Sequence, residues 1–169
     1  AYSYKTNYLP QFCASVNLMG GYAEVVSSME LQLALKLGVP PESIFFNGPF
    51  KEEKYSQDLL LSGGVVNIDS IEEFHKIAKM LNDSDKIVSI GVRCNFDIDD
   101  GASSRFGISE EDEKLAAIID LVNINRNMRF VGLHCHFASR SLSSWENRTL
   151  KMTRFISNLK SDQRKKIRF

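Results

Sequence analysis

Cysteine is scarce in this 169-residue chain, with only Cys13, Cys94 and Cys135, an odd set without paired spacing. That excludes a disulfide framework and a cysteine-rich metal cluster, and points to small buried thiols in a reducing, cytoplasmic compartment. Long apolar runs are missing, so no membrane span is expected, and no leader-peptide pattern opens the sequence. Charge of one sign is missing too. Lys+Arg and Asp+Glu each number 21, which gives no push toward nucleic acid or an anionic membrane. No linker-like or low-complexity stretch divides the chain, so one structural unit is expected. What is present suits a soluble globular domain: 43% hydrophobic residues, 25% charged residues and enough length for a proper core. The chain opens on Ala1, and a lysine-bearing strand follows at once. Because termini fray, a piece of a longer protein is expected.

Short β-like runs alternate with amphipathic helical runs. Strands are expected at 2–7, 23–27, 44–47, 65–69, 87–95 and 130–137. Helices are expected at 28–37, 51–61, 71–81, 110–123 and 145–160, with another near 9–19. Such alternation argues for βαβ units and a parallel sheet. Ser27 with Glu30, Ser70 with Glu73, Ser109 with Asp112 and Ser143 with Glu146 each have capping-box spacing. Gly38 before Pro40 and Pro41, and the pair Gly63-Gly64, read as helix stops.

Two strands show which way the sheet faces. In the fifth, Val88, Ile90, Val92 and Cys94 alternate with Ser89, Gly91, Arg93 and Asn95. In the sixth, Val131, Leu133, Cys135 and Phe137 alternate with Gly132, His134 and His136. One apolar and one small or polar face suits the lumen of a parallel β/α barrel better than a doubly wound sheet. The fold class is therefore α/β, an incomplete TIM-type (β/α)8 barrel with about six βα units.

Several groups on these strands could do chemistry. Lys5 shares a strand face with Ser3 and Asn7, where an enclosed amine could take an aldehyde. His134 and His136 point the same way. That is metal-site spacing, but no third ligand stands out and His75 lies in a helix, so no metal is expected. Arg93 could meet a phosphate or carboxylate, or pair with Glu24 or Asp69. Ser139 could donate to phosphate or simply cap a turn. Glu30 is expected to cap its helix. Asp97, Asp99 and Asp100 read as a solvated turn rather than a calcium loop. Arg164, Lys165, Lys166 and Arg168 read as a helix end and connector.

Taken in order, these segments resemble the fold-type III pyridoxal-phosphate enzymes, above all the barrel of the diaminopimelate and ornithine decarboxylases. The resemblance rests on Tyr4-Lys5-Thr6-Asn7, on the segment from Ala23 to Leu31 with Gly38-Val39-Pro40, and on Phe46-Asn47-Gly48-Pro49. It continues through Val92-Arg93-Cys94-Asn95, Arg105-Phe106-Gly107-Ile108 and Gly132-Leu133-His134-Cys135-His136. The sequence departs from the family pattern at Thr6, where alanine is usual, and at Ala138-Ser139-Arg140, where Gly-Ser-Gln is usual.

The resemblance implies pyridoxal 5'-phosphate as cofactor, with Lys5 forming the Schiff base and His136 stacking on the ring. It places Ser139 at the phosphate, and Glu24 and Arg93 beneath the ring. It also implies decarboxylation of a small amino acid of the diaminopimelate, ornithine or lysine type by a homodimeric parent enzyme. Residues 1–169 would be a partial barrel domain, with the remaining barrel units and a β-domain elsewhere. Alone it is expected to be inactive. An amino-acid racemase built on the same barrel, or a non-catalytic cofactor-binding relative, are the competing readings.

Overall fold

Strand-forming and helix-forming segments alternate in space as they do along the chain. The computed structural model describes residues 1–99, 104–110, 113–139 and 141–168. In its first half β1 (Tyr2–Ser3), α1 (Pro10–Leu18), β2 (Ala23–Val25), α2 (Ser28–Lys36), β3 (Ile44–Phe46), α3 (Glu53–Leu61) and β4 (Val65–Ile68) follow one another. Then come α4 (Ile71–Met80), β5 (Val88–Asn95), β6 (Ile108–Ser109), α5 (Lys114–Ile124), β7 (Met128–Cys135), α6 (Leu142–Asn158) and α7 (Ser161–Arg164).

Every strand pair is parallel, and β1 to β5 lie side by side in chain order, with β7 on the far side of β5. Sequential, all-parallel neighbours joined by helices are the arrangement of an incomplete β/α barrel. The unexpected strand β6 is a two-residue adjunct. Among the described residues it pairs with the end of β5, Cys94 with Ile108 and Asn95 with Ser109.

Helix starts follow local chemistry. The Ser27 hydroxyl accepts from the Glu30 N–H while Glu30 Oε2 accepts from the Val26 N–H. Ser70 and Glu73 repeat the device, with Asp69 N–H as the second donor. These two expected boxes are thus present, shifted by one residue on their return bonds. The other two differ. The cap of α6 is Ser141, which accepts from the Ser144 N–H, not Ser143. The helix α5 begins after Glu113, a left-handed residue with φ 55°, rather than after Ser109; Asp112 lies outside the described residues. A positive φ of 99° at Gly63 ends α3, a conformation that favours glycine.

The core lies between the sheet's outer face and the helices. In α5, Leu115, Ile118, Ile119 and Val122 follow helical spacing, and all are buried. Each such side chain contributes about 1.5–3 kcal/mol relative to exposure.

The alternation expected for 130–137 breaks at one point. Ile90 pairs with Phe130 but Gly91 pairs with Gly132, so Val131 is the extra residue of a β-bulge. Phe130 therefore joins the main core, whereas Val131 turns to a separate cluster with Phe45 and Val65. The expected grouping of Val131 with Leu133, Cys135 and Phe137 is corrected accordingly. A second correction concerns the first strand. It ends at Ser3, and residues 4–6 form a turn in which the Thr6 N–H donates to the Ser3 carbonyl. Lys5 and Asn7 therefore do not share a strand face with Ser3.

All three cysteines are free thiols. Among the described residues no helix is long and apolar enough to cross a membrane. Past α7 the Arg168 N–H donates to the Val131 carbonyl at 2.7 Å, so the basic tail returns to the sheet.

Candidate active site at the strand ends

Parallel strands all deliver their C-terminal ends to one mouth, and the candidate residues sit there. Lys5 is exposed on the turn after β1, and His136 is exposed one residue past β7. Between them, facing the lumen, lie Glu24 of β2 and Arg93 of β5.

A polar ladder crosses the lumen. Glu24 Oε1 accepts from Asn47 Nδ2 at 2.8 Å, and Asn47 Oδ1 accepts from Asn67 Nδ2 at 2.5 Å. Asn47 and Asn67 are both buried, so each amide needs the other's group. One layer up, Arg93 Nη1 donates to Asp69 Oδ1 at 2.8 Å, with both side chains more than nine-tenths buried. Of the two acids expected as partners for Arg93, the structure selects Asp69. The other Asp69 oxygen accepts from the Gly107 N–H at 3.1 Å, tying the loop after β5 to β4. Asp69 is itself held from behind. Its N–H donates to Glu73, whose other oxygen accepts from the wholly buried Lys51 ammonium at 2.8 Å.

The imidazoles feel this charge. Burial, followed by the nearby Arg93, holds His134 down to about 4, and it is neutral at physiological pH. Its Nδ1 is buried without a hydrogen-bond partner among the described residues. For His136, burial, Arg93 and Lys5 all lower the pKa, while Glu24 opposes them. Those effects bring Lys5, Glu24, Arg93 and His136 into one electrostatic neighbourhood. A cleft of about 240 Å³ opens there, lined by Arg93, Arg105, Phe106, His136, Phe137 and Ala138. The Arg93 guanidinium lies 5.3 Å from the Phe106 ring centroid, and its Nε has no hydrogen-bond partner among the described residues.

Ser139 occupies the loop between β7 and α6. Its carbonyl accepts from Arg148, a residue that sequence reading passed over. Asn47, Asn67, Phe106 and Lys51 were likewise not singled out as functional. Asparagine inside otherwise apolar strands was the available signal for the first two. Among the described residues, no group of three His, Cys, Asp or Glu side chains is arranged to hold a metal. Asp99 donates its N–H to Asp97 Oδ1 at 2.8 Å, a local turn bond; Asp100 and Arg140 lie outside the described residues.

Comparison with known proteins gives the same picture. Residues 1–161 match the family model described as pyridoxal-dependent decarboxylase, pyridoxal binding domain. The chain is 29% identical over 155 residues to the diaminopimelate decarboxylase of Aquifex aeolicus, covering 83% of this chain and 36% of that protein. It is 32% identical over 151 residues to the probable chloroplastic diaminopimelate decarboxylase of Oryza sativa subsp. japonica, covering 82% of this chain and 30% of that protein. A crystal structure of M. jannaschii diaminopimelate decarboxylase with L-lysine superposes with a TM-score of 0.86 at 26% identity, covering 96% of this chain and 40% of that one. This chain thus spans 30% to 40% of the length of these relatives. Family model, relatives and superposition agree that the chain belongs to the pyridoxal-dependent decarboxylases, as their pyridoxal-binding domain, on an incomplete β/α barrel.

Proposed function

We propose that these residues hold pyridoxal phosphate at the mouth of the sheet, and that the full-length protein uses it to decarboxylate a small amino acid. One observation carries the reading: Arg93, Lys5 and Glu24 all stand close enough to His136 at the strand ends to act on its charge. The predominance of diaminopimelate decarboxylases among the relatives supports a substrate of the diaminopimelate type, ahead of ornithine or lysine.

The residues present fit the cofactor. Arg93 offers a buried donor without a partner beside an open cleft. The same cleft is lined by His136 and Phe106, whose rings suit an aromatic ligand. Pyridoxal phosphate, when bound, supplies an aldehyde for amines and an electron sink for the pair left when carbon dioxide departs.

This chain's residues do the rest. The Lys5 amine, exposed on its turn, would be the group that holds the aldehyde. His136, its pKa lowered by burial and then by Arg93 and Lys5, would stand against the ring. Glu24 and Arg93 are held in place by Asn47 and Asp69, so they would meet the bound group as fixed side chains. Ser139 is assigned to the phosphate end. Catalysis is assigned to the full-length protein rather than to residues 1–169 alone; cytoplasmic location and a homodimeric parent belong to the same proposal.

The test is covalent. Full-length protein with pyridoxal phosphate, reduced with borohydride and digested, is expected to carry the cofactor mass on Lys5. Label on another lysine, or visible cofactor absorbance that persists in Lys5→Ala, would remove the assignment. Carbon dioxide release from a panel of diaminopimelate, ornithine, lysine and arginine then ranks substrates.

A further inference from the structure

Arg148 of α6 is more than nine-tenths buried, yet it pairs with no carboxylate among the described residues. Its guanidinium stands 4.6 Å from the Trp145 ring centroid and 5.3 Å from that of Phe137. Nη2 donates to the Ser139 carbonyl and, at 3.4 Å, to the Ser144 hydroxyl. Nε is buried and has no hydrogen-bond partner among the described residues.

A buried cation without a counter-charge is costly, and a leftover donor adds to the cost. Two aromatic faces offset part of it. The remainder calls for an anion. The segment that Arg148 grips runs from Phe137, a wall of the cleft, to Ser139. Guanidinium donors suit a phosphate dianion better than any other common anion, through both charge and fork geometry.

We infer that Arg148 is a positioning residue for the cofactor's phosphate: clamped between Phe137 and Trp145, it fixes the 137–139 loop through the Ser139 carbonyl and sets a permanent positive charge behind it. The inference rests on the pyridoxal phosphate reading above and adds a residue to it. Because the guanidinium serves the phosphate end, its loss affects a phosphorylated ligand and spares an unphosphorylated one.

The experiment compares pyridoxal phosphate with pyridoxal, which lacks the phosphate but keeps the ring and aldehyde. Both are titrated by calorimetry into cofactor-free full-length protein, wild type and Arg148→Gln. Loss of the charge behind the loop and of its hold on the Ser139 carbonyl is expected to weaken pyridoxal phosphate about tenfold, with pyridoxal within about twofold of wild type. Arg148→Lys keeps the charge without the fork, and is expected to show a smaller, still phosphate-selective loss. Should Arg148→Gln fail to fold, the lysine variant is judged by the same selectivity. Equal losses for the two ligands, or no loss for either, would overturn the inference. The controls keep the two ideas apart: if the wild type shows no phosphate preference or Lys5 carries no label, the cofactor reading itself falls.

Discussion

Gly91 leaves a gap that the Asn67 amide fills: a Cβ built on Gly91 would lie 1.7 Å from Asn67 Oδ1. The side chain that would have to move is not the loose end of a flexible chain. Asn67 donates to Asn47, which donates to Glu24, so displacement propagates along the ladder. Gly91→Ala is expected to destabilise the protein by about 1–3 kcal/mol, the usual penalty for overpacking a filled interior. Urea unfolding of the variant checks it. A midpoint equal to wild type would mean that the lumen has slack that this geometry denies.

The Asp69–Arg93 pair makes a second prediction. Both side chains are buried, so removing one partner strands the other's charge. Asp69→Leu is expected to cost about 3–5 kcal/mol. The double variant Asp69→Leu with Arg93→Met removes both charges and is expected to recover much of that loss. Thermal unfolding of the single and double variants decides the matter. A double variant no better than the single would assign the loss to the Gly107 contact and the loop after β5.

Much of this architecture was legible in the sequence because local signals agreed with one another. Serine caps, glycine stops and period-two apolar runs placed six strands and the main helices to within a few residues. What escaped depended on three-dimensional partners. Val131 looks outward by simple alternation, and only the pairing of Gly91 with Gly132 reveals the bulge that turns it inward. The strand β6 is two residues long and has no periodicity to read. Four serines at 139, 141, 143 and 144 offer competing caps for α6, and the structure uses Ser141. The site shows the same divide. Lys5, Arg93 and His136 stand at strand ends where reactive groups are expected. Lys51 and Arg148 are helix-side cations whose burial becomes visible only once Glu73 or Trp145 has been packed against them.

The third prediction concerns pH and His134. Its folded-state pKa is depressed from 6.5 to about 4, chiefly by burial and then by Arg93. In the unfolded chain the same imidazole takes up a proton near its ordinary value, so below that pH the unfolded state binds more protons. Stability therefore falls as pH drops through about 6.5 and levels off near 4, and it is fully present above the unfolded pKa. The depression corresponds to an effect on the order of 3 kcal/mol at its limit. His134→Asn removes this titrating group, and is expected to reduce the pH dependence of unfolding across that window, the remainder coming from His136, whose pKa is also lowered, while leaving the acid limb below pH 4 in place. Denaturant unfolding of the cofactor-free protein at half-unit pH steps provides the comparison, and NMR of the imidazole C2–H locates the native midpoint directly. A His134 resonance that titrates near 6.5 in the folded protein would show that water reaches a ring that the structure encloses beside Arg93.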